Sequence, residues 1–222
     1  MNLLLFAIAP IFIIILYIYY KDKYEKEPKR LLLYNFLFGA IISIIVTTIL
    51  YYIIGSIVEF NRNSVIQQFI YAFFVVGLSE EFSKYIIVRY YAQPNKEFDE
   101  PFDGIVYAVM VSMGFAATEN IFYVLEGGYQ TAFLRAFTAV PAHATFGVLM
   151  GYFMGKAKFS KNKAILNLTG LALAAGFHGA YDFFLFIDFI PGVWIGAFAS
   201  LIVGIVLSKK AIKRHQEKSN FK

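Results

Sequence analysis

Four side chains that could perform acid–base chemistry or bind a metal lie inside long apolar stretches of the sequence: Glu80, Glu81, His143 and His178. An ionisable group at the centre of a bilayer costs ~2.5–3.5 kcal/mol, and such residues mark functional sites. Two carboxylates and two imidazoles in one partly dry cavity are suited to activating a water molecule for hydrolysis. We therefore predict that these four residues form a catalytic centre.

The predicted centre could activate water in two ways, and the sequence leaves both open. A glutamate could act alone as general base, or the water could sit on a metal held by Glu81, His143 and His178. Imidazoles and carboxylates are zinc ligands, but the chain contains no His-Glu-x-x-His helix and no cysteine. A divalent metal such as zinc is therefore an open expectation.

Four further polar residues are predicted to support the centre: Lys84, Glu119, Asn120 and Asp182. Residues three or four positions apart share a face of a helix, so Lys84 can pair with both Glu80 and Glu81. Asp182 follows His178 by four positions and is expected to orient its ring. Glu119 and Asn120 are adjacent in the fourth apolar run and could form a structural hydrogen-bond pair.

Two other ionisable residues are predicted to have no role in the centre. Arg135 lies near the start of an apolar run, where a long basic side chain can reach the membrane interface. His215 lies among lysines and an arginine near the C-terminus and is expected to be solvated.

The composition indicates that most of this chain lies in a lipid bilayer. Hydrophobic residues make up 59% of the 222 residues, charged residues make up 16%, and the mean hydropathy is +0.62. Soluble domains average ~45–50% apolar and ~25% charged residues. An integral membrane protein is therefore predicted. The net charge of +5 comes from short basic clusters rather than one basic face, so no nucleic-acid partner is expected.

Long apolar runs define the predicted architecture. A helix needs ~20 mainly apolar residues to cross a bilayer, and seven runs approach or exceed that length: 3–20, 31–58, 65–91, 104–124, 131–155, 164–186 and 192–208. Runs of this length are too long for the strands of a barrel. We predict an all-α, polytopic transmembrane bundle that forms a single domain over residues 1–222.

Basic residues set the predicted orientation. Lysine and arginine are frequent in segments 21–30, 156–163 and 209–222, and sparse in the loops between them. Because positive residues mark the cytoplasmic side, the N-terminus is predicted to lie outside and the C-terminus in the cytoplasm. Glycines recur every four residues after His143, and this small-residue pattern predicts close helix packing beside the centre.

Four short motifs occur in order on successive predicted helices. Residues 80–84 match E-E-x-x-K, 115–120 match F-x-x-x-E-N, 143–147 match H-x-x-x-G, and 178–182 match H-x-x-x-D. In this order, over about residues 70–190, the chain resembles the PrsW family of bacterial intramembrane proteases. That family is similar to the CAAX prenyl endopeptidase and bacteriocin-processing superfamily. The superfamily has E-E-x-x-x-R, whereas a lysine stands one position earlier here.

The resemblance implies a multi-pass protein of the bacterial cytoplasmic membrane that makes the site-1 cut in a single-pass anti-sigma factor. Carried over motif by motif, Glu80 and Glu81 would activate water. His143 and His178 would act as acid–base, oxyanion or metal-binding groups. Asp182, Glu119 and Asn120 would support these groups from behind.

Two alternatives remain open from the sequence. A proton- or ion-coupled transporter could use the same carboxylates and histidines as a relay, although the related halves common in transporters are not evident. A CAAX-protease-like immunity or processing protein is the other alternative.

Overall fold

The computed structural model describes residues 3–219 and residue 221. Within them the chain forms seven successive helices: α1 (Leu3–Lys21), α2 (Lys29–Gly55), α3 (Val65–Ala92), α4 (Pro101–Phe137), α5 (Ala139–Lys158), α6 (Lys163–Phe186) and α7 (Ile195–Glu217). These residues contain no β-strand. Since backbone polar groups in lipid must be satisfied within the segment, the apolar runs become helices, and the predicted all-α class is confirmed.

The number of membrane-spanning stretches is close to the prediction. Thr138 alone separates α4 from α5, and the two together form one apolar helical stretch of 58 residues, Pro101–Lys158. Counted as continuous stretches, the described residues contain six that are long and apolar enough to cross a membrane, against about seven predicted. The difference arises because this one stretch doubles back.

The chain reverses direction inside α4, at Gly128. The φ of Gly128 is 68° and its ψ is −157°, a conformation that only glycine adopts readily. The guanidinium of Arg135 consequently lies 2.6 Å from the carboxylate of Glu119, although sixteen residues of straight helix would span ~24 Å. The predicted break between residues 124 and 131 coincides with this reversal.

Glycines bring the backbones of the central helices into contact. A Cβ added at Gly104 of α4 would lie 2.5 Å from backbone atoms of Gly151 and Gly155 of α5. A Cβ at Gly114, two to three turns further along α4, would lie 1.9 Å from the carbonyl oxygen of Phe36 in α2. Small residues permit this approach where lipid supplies no hydrophobic drive. The first half of α4 is therefore the buried centre of the bundle.

Helix α3 contains two wide, π-helical turns, Tyr71–Gly77 and Val88–Ala92. They flank the α-helical segment Leu78–Ile87, which carries Glu80 and Glu81. Wide turns of this kind are rare and often occur at functional sites.

The connections after α1, α3 and α5 lie at one end of the bundle, together with the end of α7. Lys158 at the end of α5 donates hydrogen bonds to the carbonyl oxygens of Gln93 and Asn95 in the α3–α4 connection. Gln216 of α7 donates to the carbonyl oxygen of Lys21. The basic clusters of the sequence therefore share one end, which we call the basic end. Its assignment to the cytoplasm stays a prediction.

The prediction that His215 is solvated is wrong. Its side chain is buried, and its ring stacks on that of Tyr152 in α5 with the centroids 4.3 Å apart. Helix α7 continues along α5 to Glu217 instead of extending into solvent, so its last turns remain packed.

Candidate active site

Two adjacent glutamates and a lysine form a buried group on α3. The Lys84 ammonium lies 2.7 Å from Glu81 Oε1 and 3.5 Å from Glu80 Oε2. Glu81 is 0% exposed and Lys84 is 1% exposed. Buried charges need close partners to offset the loss of hydration, and the i+3 and i+4 spacings supply them on one helix face. This pairing of Lys84 is the one that the sequence predicted.

His178 of α6 lies between carboxylates on both sides of its ring. Its Nδ1 is 2.8 Å from Glu81 Oε1, and its Nε2 is 3.2 Å from Asp182 Oδ2 and 3.7 Å from Glu80 Oε2. An ionised carboxylate can only accept hydrogen bonds, so the ring nitrogens of His178 serve as donors in this arrangement. Asp182 lies one turn along α6, where it can fix the orientation of the ring.

His143 of α5 connects the α3 group to α4. Its Nδ1 is 3.3 Å from the ammonium of Lys84, and its Nε2 is 2.9 Å from Glu119 Oε2. An ammonium only donates, so Nδ1 accepts and Nε2 carries the proton that Glu119 accepts. The hydroxyl of Ser112 also donates to the backbone carbonyl of His143 at 2.9 Å. These contacts define one tautomer and one ring position.

The four residues predicted as catalytic converge, although they come from three helices. Glu80, Glu81, His143 and His178 are all buried, and each offers one ligand atom within 4.8 Å of the others. The two imidazole centroids are 5.3 Å apart. The supporting residues Glu119 and Asp182 contact the histidines directly. Asn120 does not: its amide donates to the carbonyl oxygen of Ala7 in α1 at 2.7 Å.

Arg135, which the sequence analysis left without a role, contacts the site through Glu119. Its Nη2 lies 2.6 Å from Glu119 Oε2, and its Nε donates to Asn120 Oδ1, also at 2.6 Å. The guanidinium also lies 4.1 Å from the centroid of the Tyr123 ring. Its side chain is directed toward Glu119, whereas the sequence analysis expected it to extend toward the membrane interface. The predicted break between residues 124 and 131 already placed both residues near the same end of their runs, but it did not show that they face each other.

Two aromatic residues that sequence reasoning missed also contact the centre. The hydroxyl of Tyr51 in α2 donates to Glu80 Oε1 at 2.8 Å. The ring of Phe146 in α5 stacks on His178, with centroids 4.7 Å apart and planes 18° from parallel. Phe146 follows His143 by three positions, a spacing that could have identified it. No sequence signal distinguishes Tyr51 from the neighbouring tyrosine.

A cavity of about 960 Å³ lies beside these groups and is bounded by residues of α2 to α6. Glu80, Glu119, His143, His178 and Asp182 line its wall. The α2–α3 connection, through Arg62, and the α6–α7 connection, through Asp188, line its rim. These connections belong to the end of the bundle opposite the basic end. Glu81 and Lys84 lie behind the wall.

The residues of this centre fit a divalent metal. Carboxylate oxygens and imidazole nitrogens are ligands that zinc accepts, and four of them meet here within 4.8 Å. Glu80 Oε2 and Glu81 Oε2 are also buried without a hydrogen-bond partner. Buried polar atoms without hydrogen-bond partners are rare in native proteins, and a bound cation would compensate such oxygens.

The chain is similar to known proteins over most of its length. The family model described as "PrsW family intramembrane metalloprotease" matches residues 27–208. Among curated relatives, Protease PrsW of Oceanobacillus iheyensis is 43% identical over 187 residues, covering 83% of each chain. Protease PrsW of Bacillus subtilis is 38% identical over 181 residues, covering 81% of this chain and 80% of the relative. No solved structure matches the chain.

These comparisons support a protease over the transporter that the sequence left open. Apolar helices, a buried cluster of carboxylates and histidines, and relatives named as proteases agree with one another. The chain is a multi-pass bacterial membrane protein with protease relatives, and it belongs to the PrsW family of intramembrane metalloproteases.

Proposed function

We propose that this protease makes the first cut in a membrane-anchored anti-sigma factor, a protein with a single transmembrane helix. The observation that carries the proposal is the position of Glu80, His143 and His178 on the wall of one large cavity. A cavity of about 960 Å³ has room for a segment of peptide chain as well as water. The anti-sigma factor is taken from the family resemblance of the motifs.

Glu80 is the proposed general base. Its carboxylate faces the cavity, and its Oε2 has no hydrogen-bond partner with which to share its lone pairs. Tyr51 donates to the other oxygen, Oε1, and so holds the carboxylate in one orientation. In the reaction, Glu80 takes a proton from water as the water oxygen attacks the peptide carbonyl carbon. The proton then passes to the leaving amine as the C–N bond breaks.

Glu81 and Lys84 are proposed to position the reacting groups from behind the cavity wall. Glu81 Oε1 is within hydrogen-bond distance of both the Lys84 ammonium and His178 Nδ1. This contact holds His178 at the wall, where its Nε2 can donate to the oxyanion that forms on the carbonyl. His143 is the second donor to that oxyanion, or a proton carrier for the leaving amine.

A divalent metal, if bound, is proposed to be held by Glu81, His143 and His178, with Glu80 beside it; His178 would give up the proton on its ligating nitrogen. Such a metal would lower the pKa of its water and polarise the carbonyl. Asp182 and Glu119 would then fix the ring orientations of the two histidines, as carboxylates do behind zinc-bound imidazoles. Zinc is the proposed ion because the donor set contains nitrogen as well as oxygen.

The end of the bundle at which the cavity opens supports cleavage at the outer face of the membrane. The rim of the cavity lies at the end of the bundle opposite the basic end. Because the positive-inside rule assigns the basic end to the cytoplasm, the rim is expected to lie at the outer face. A first cut in a single-pass protein at that face would leave a shortened membrane stub for later proteolysis.

The test is reconstitution of the purified protein in liposomes with a candidate single-pass anti-sigma factor tagged at both ends. We expect two fragments, with the cut near the outer end of the substrate helix. Glu80→Gln should slow their formation ~10²–10⁴-fold, the usual contribution of a general base. Glu126→Gln, the same change at an exposed position of α4, should leave them unchanged. Equal cleavage by both variants would contradict the proposal.

A further inference from the structure

A second group of carboxylates lies at the basic end of the protein, away from the candidate active site. Glu25 and Glu27 belong to the α1–α2 connection, and Asp103 belongs to the first turn of α4. Each offers a carboxylate oxygen within 4.8 Å of the others. Asp103 and Glu119 are sixteen residues apart on one leg of α4, which places ~24 Å of helix between the two groups. The three residues at the basic end are called the acidic triad below.

Each residue of the acidic triad has at least one buried carboxylate oxygen without a hydrogen-bond partner. Glu27 is 2% exposed, and neither of its oxygens has a hydrogen-bond partner. Asp103 is 0% exposed; its Oδ2 accepts from the backbone N–H groups of Asp99 and Glu100, but its Oδ1 has no partner. Oε2 of Glu25 is also buried and unpartnered. A buried anion without a partner is strongly destabilising, so something must compensate these oxygens.

The nearby basic side chains do not provide that compensation. The ammonium of Lys26 donates to the backbone carbonyls of Tyr19 and Asp22. The ammonium of Lys158 donates to backbone carbonyls of the α3–α4 connection. Within the part of the chain that the structure describes, no lysine, arginine or histidine pairs with a carboxylate of the acidic triad. The basic end is rich in lysine and arginine, yet none of these side chains that the structure describes neutralises the triad.

We propose that the acidic triad binds a hard divalent cation of the Mg²⁺ and Ca²⁺ class. Carboxylate oxygens are the donors that these ions prefer, whereas zinc and copper prefer sites with nitrogen or sulfur. Glu25, Glu27 and Asp103 each offer one carboxylate oxygen within 4.8 Å of the others, although they come from two separate segments of the chain. The ion would tie the α1–α2 connection to the start of α4, the central helix.

The alternative is a shared proton. Burial and the neighbouring Asp103 raise the pKa of Glu27 to about 11, so without a cation Glu27 would hold a proton and donate it to Asp103. A cation and this proton compete for the same oxygens. Measurement of cation binding distinguishes the two.

The test uses the full-length protein in detergent micelles, with Mn²⁺ as probe and electron paramagnetic resonance as readout of the free ion. Mg²⁺ and Ca²⁺ are then added as competitors to identify the preferred ion. Glu27→Gln and Asp103→Asn remove ligands of the acidic triad. Glu97→Gln is the matched control, because Glu97 is a neighbouring carboxylate that pairs with the exposed Lys96. Glu81→Gln removes a ligand of the candidate active site.

We expect one Mn²⁺ that Mg²⁺ or Ca²⁺ displaces. The affinity of the protein for Mn²⁺ should fall at least ~10-fold in Glu27→Gln and Asp103→Asn. Loss of a residue that only hydrogen-bonds to a metal ligand already has an effect of this size. Glu97→Gln and Glu81→Gln should retain it. Absence of a displaceable Mn²⁺ in the unmodified protein, or equal affinity in Glu27→Gln, would overturn the proposal in favour of the shared proton.

A folding control keeps this result interpretable. In cation-free buffer, Glu27→Gln should unfold at about the same temperature as the unmodified protein, because glutamine is neutral like the protonated Glu27 that it replaces. Addition of Mg²⁺ or Ca²⁺ should then raise the unfolding temperature of the unmodified protein and of Glu97→Gln only. An equal rise in Glu27→Gln would also overturn the proposal.

Discussion

The hydroxyl of Tyr51 on α2 donates a 2.8 Å hydrogen bond to Oε1 of Glu80 on α3. The carboxylate that faces the cavity is therefore held from a neighbouring helix as well as by Lys84 on its own helix. This bond leaves Oε2 of Glu80 as the oxygen without a hydrogen-bond partner. The two helices must keep their spacing for Glu80 to keep its position.

Removal of this hydroxyl tests whether the orientation of Glu80 matters. Tyr51→Phe should lower kcat ~10–100-fold with little change in KM, because a hydrogen bond to a charged group contributes ~1.5–3 kcal/mol. Tyr52→Phe is the matched control, since Tyr52 is 80% exposed. Initial rates of substrate cleavage in liposomes measure both. Equal rates for the two variants would show that Tyr51 does not position the base.

The contact between Arg135 and Glu119 provides the second prediction. Arg135→Gln should lower activity ~10–100-fold, because Glu119 would lose its cationic partner beside His143. Losses of this size are typical when a residue that orients a catalytic or metal-binding side chain is removed. Arg214→Gln, at an exposed position of α7, should have no effect. A pH profile of kcat that shifts in Arg135→Gln would indicate an effect through His143. Full activity of Arg135→Gln would contradict this role.

The sequence alone was sufficient to predict the helical class and the four converging residues, for one physical reason. Ionisable groups are costly in lipid, so Glu80, Glu81, His143 and His178 are conspicuous in apolar runs. Contacts that depend on where a helix turns could not be predicted. The contact between Arg135 and Glu119 was missed because it depends on which way each side chain faces across the turn at Gly128.

Other contacts could not be predicted because the residues that make them are of types common in their sequence context. Tyrosine is common near membrane interfaces, so Tyr51 could not be distinguished from its exposed neighbour Tyr52. His215 lies in a basic segment that is typical of solvent-exposed tails, yet α7 packs it against Tyr152. Packing between distant segments decides such cases, and a single sequence does not record it.

Close packing of α4 against α5 provides a prediction for stability. Gly104→Ala should lower the unfolding temperature, because its Cβ would lie 2.5 Å from the backbone of α5, and overpacking costs ~1–3 kcal/mol. Gly176→Ala on α6 is the control, since nothing lies within 4 Å of its added Cβ. Thermal unfolding in detergent compares them. An unchanged unfolding temperature in Gly104→Ala would mean that the two helices are not in backbone contact.

The metal provides a fourth prediction. A strong chelator should abolish cleavage and zinc should restore it, because one buried oxygen each of Glu80 and Glu81 lacks a hydrogen-bond partner. Asp182→Asn should weaken zinc binding ~10–100-fold, since Asp182 holds the ring of His178. Competition with a chromophoric chelator measures the affinity, and Glu126→Gln serves as control. Cleavage that persists after complete removal of metal would favour glutamate acting alone.

The most direct test of a single hydrolytic centre is a double-mutant cycle of Glu80→Gln and His178→Asn, read by single-turnover cleavage in liposomes. When residues act together in one catalytic step, the effects of their substitutions on the rate are not additive. The double variant should therefore be no slower than the slower single variant. Losses that multiply, or single variants that cleave at the rate of the unmodified protein, would contradict the claim that Glu80 and His178 work on the same peptide bond.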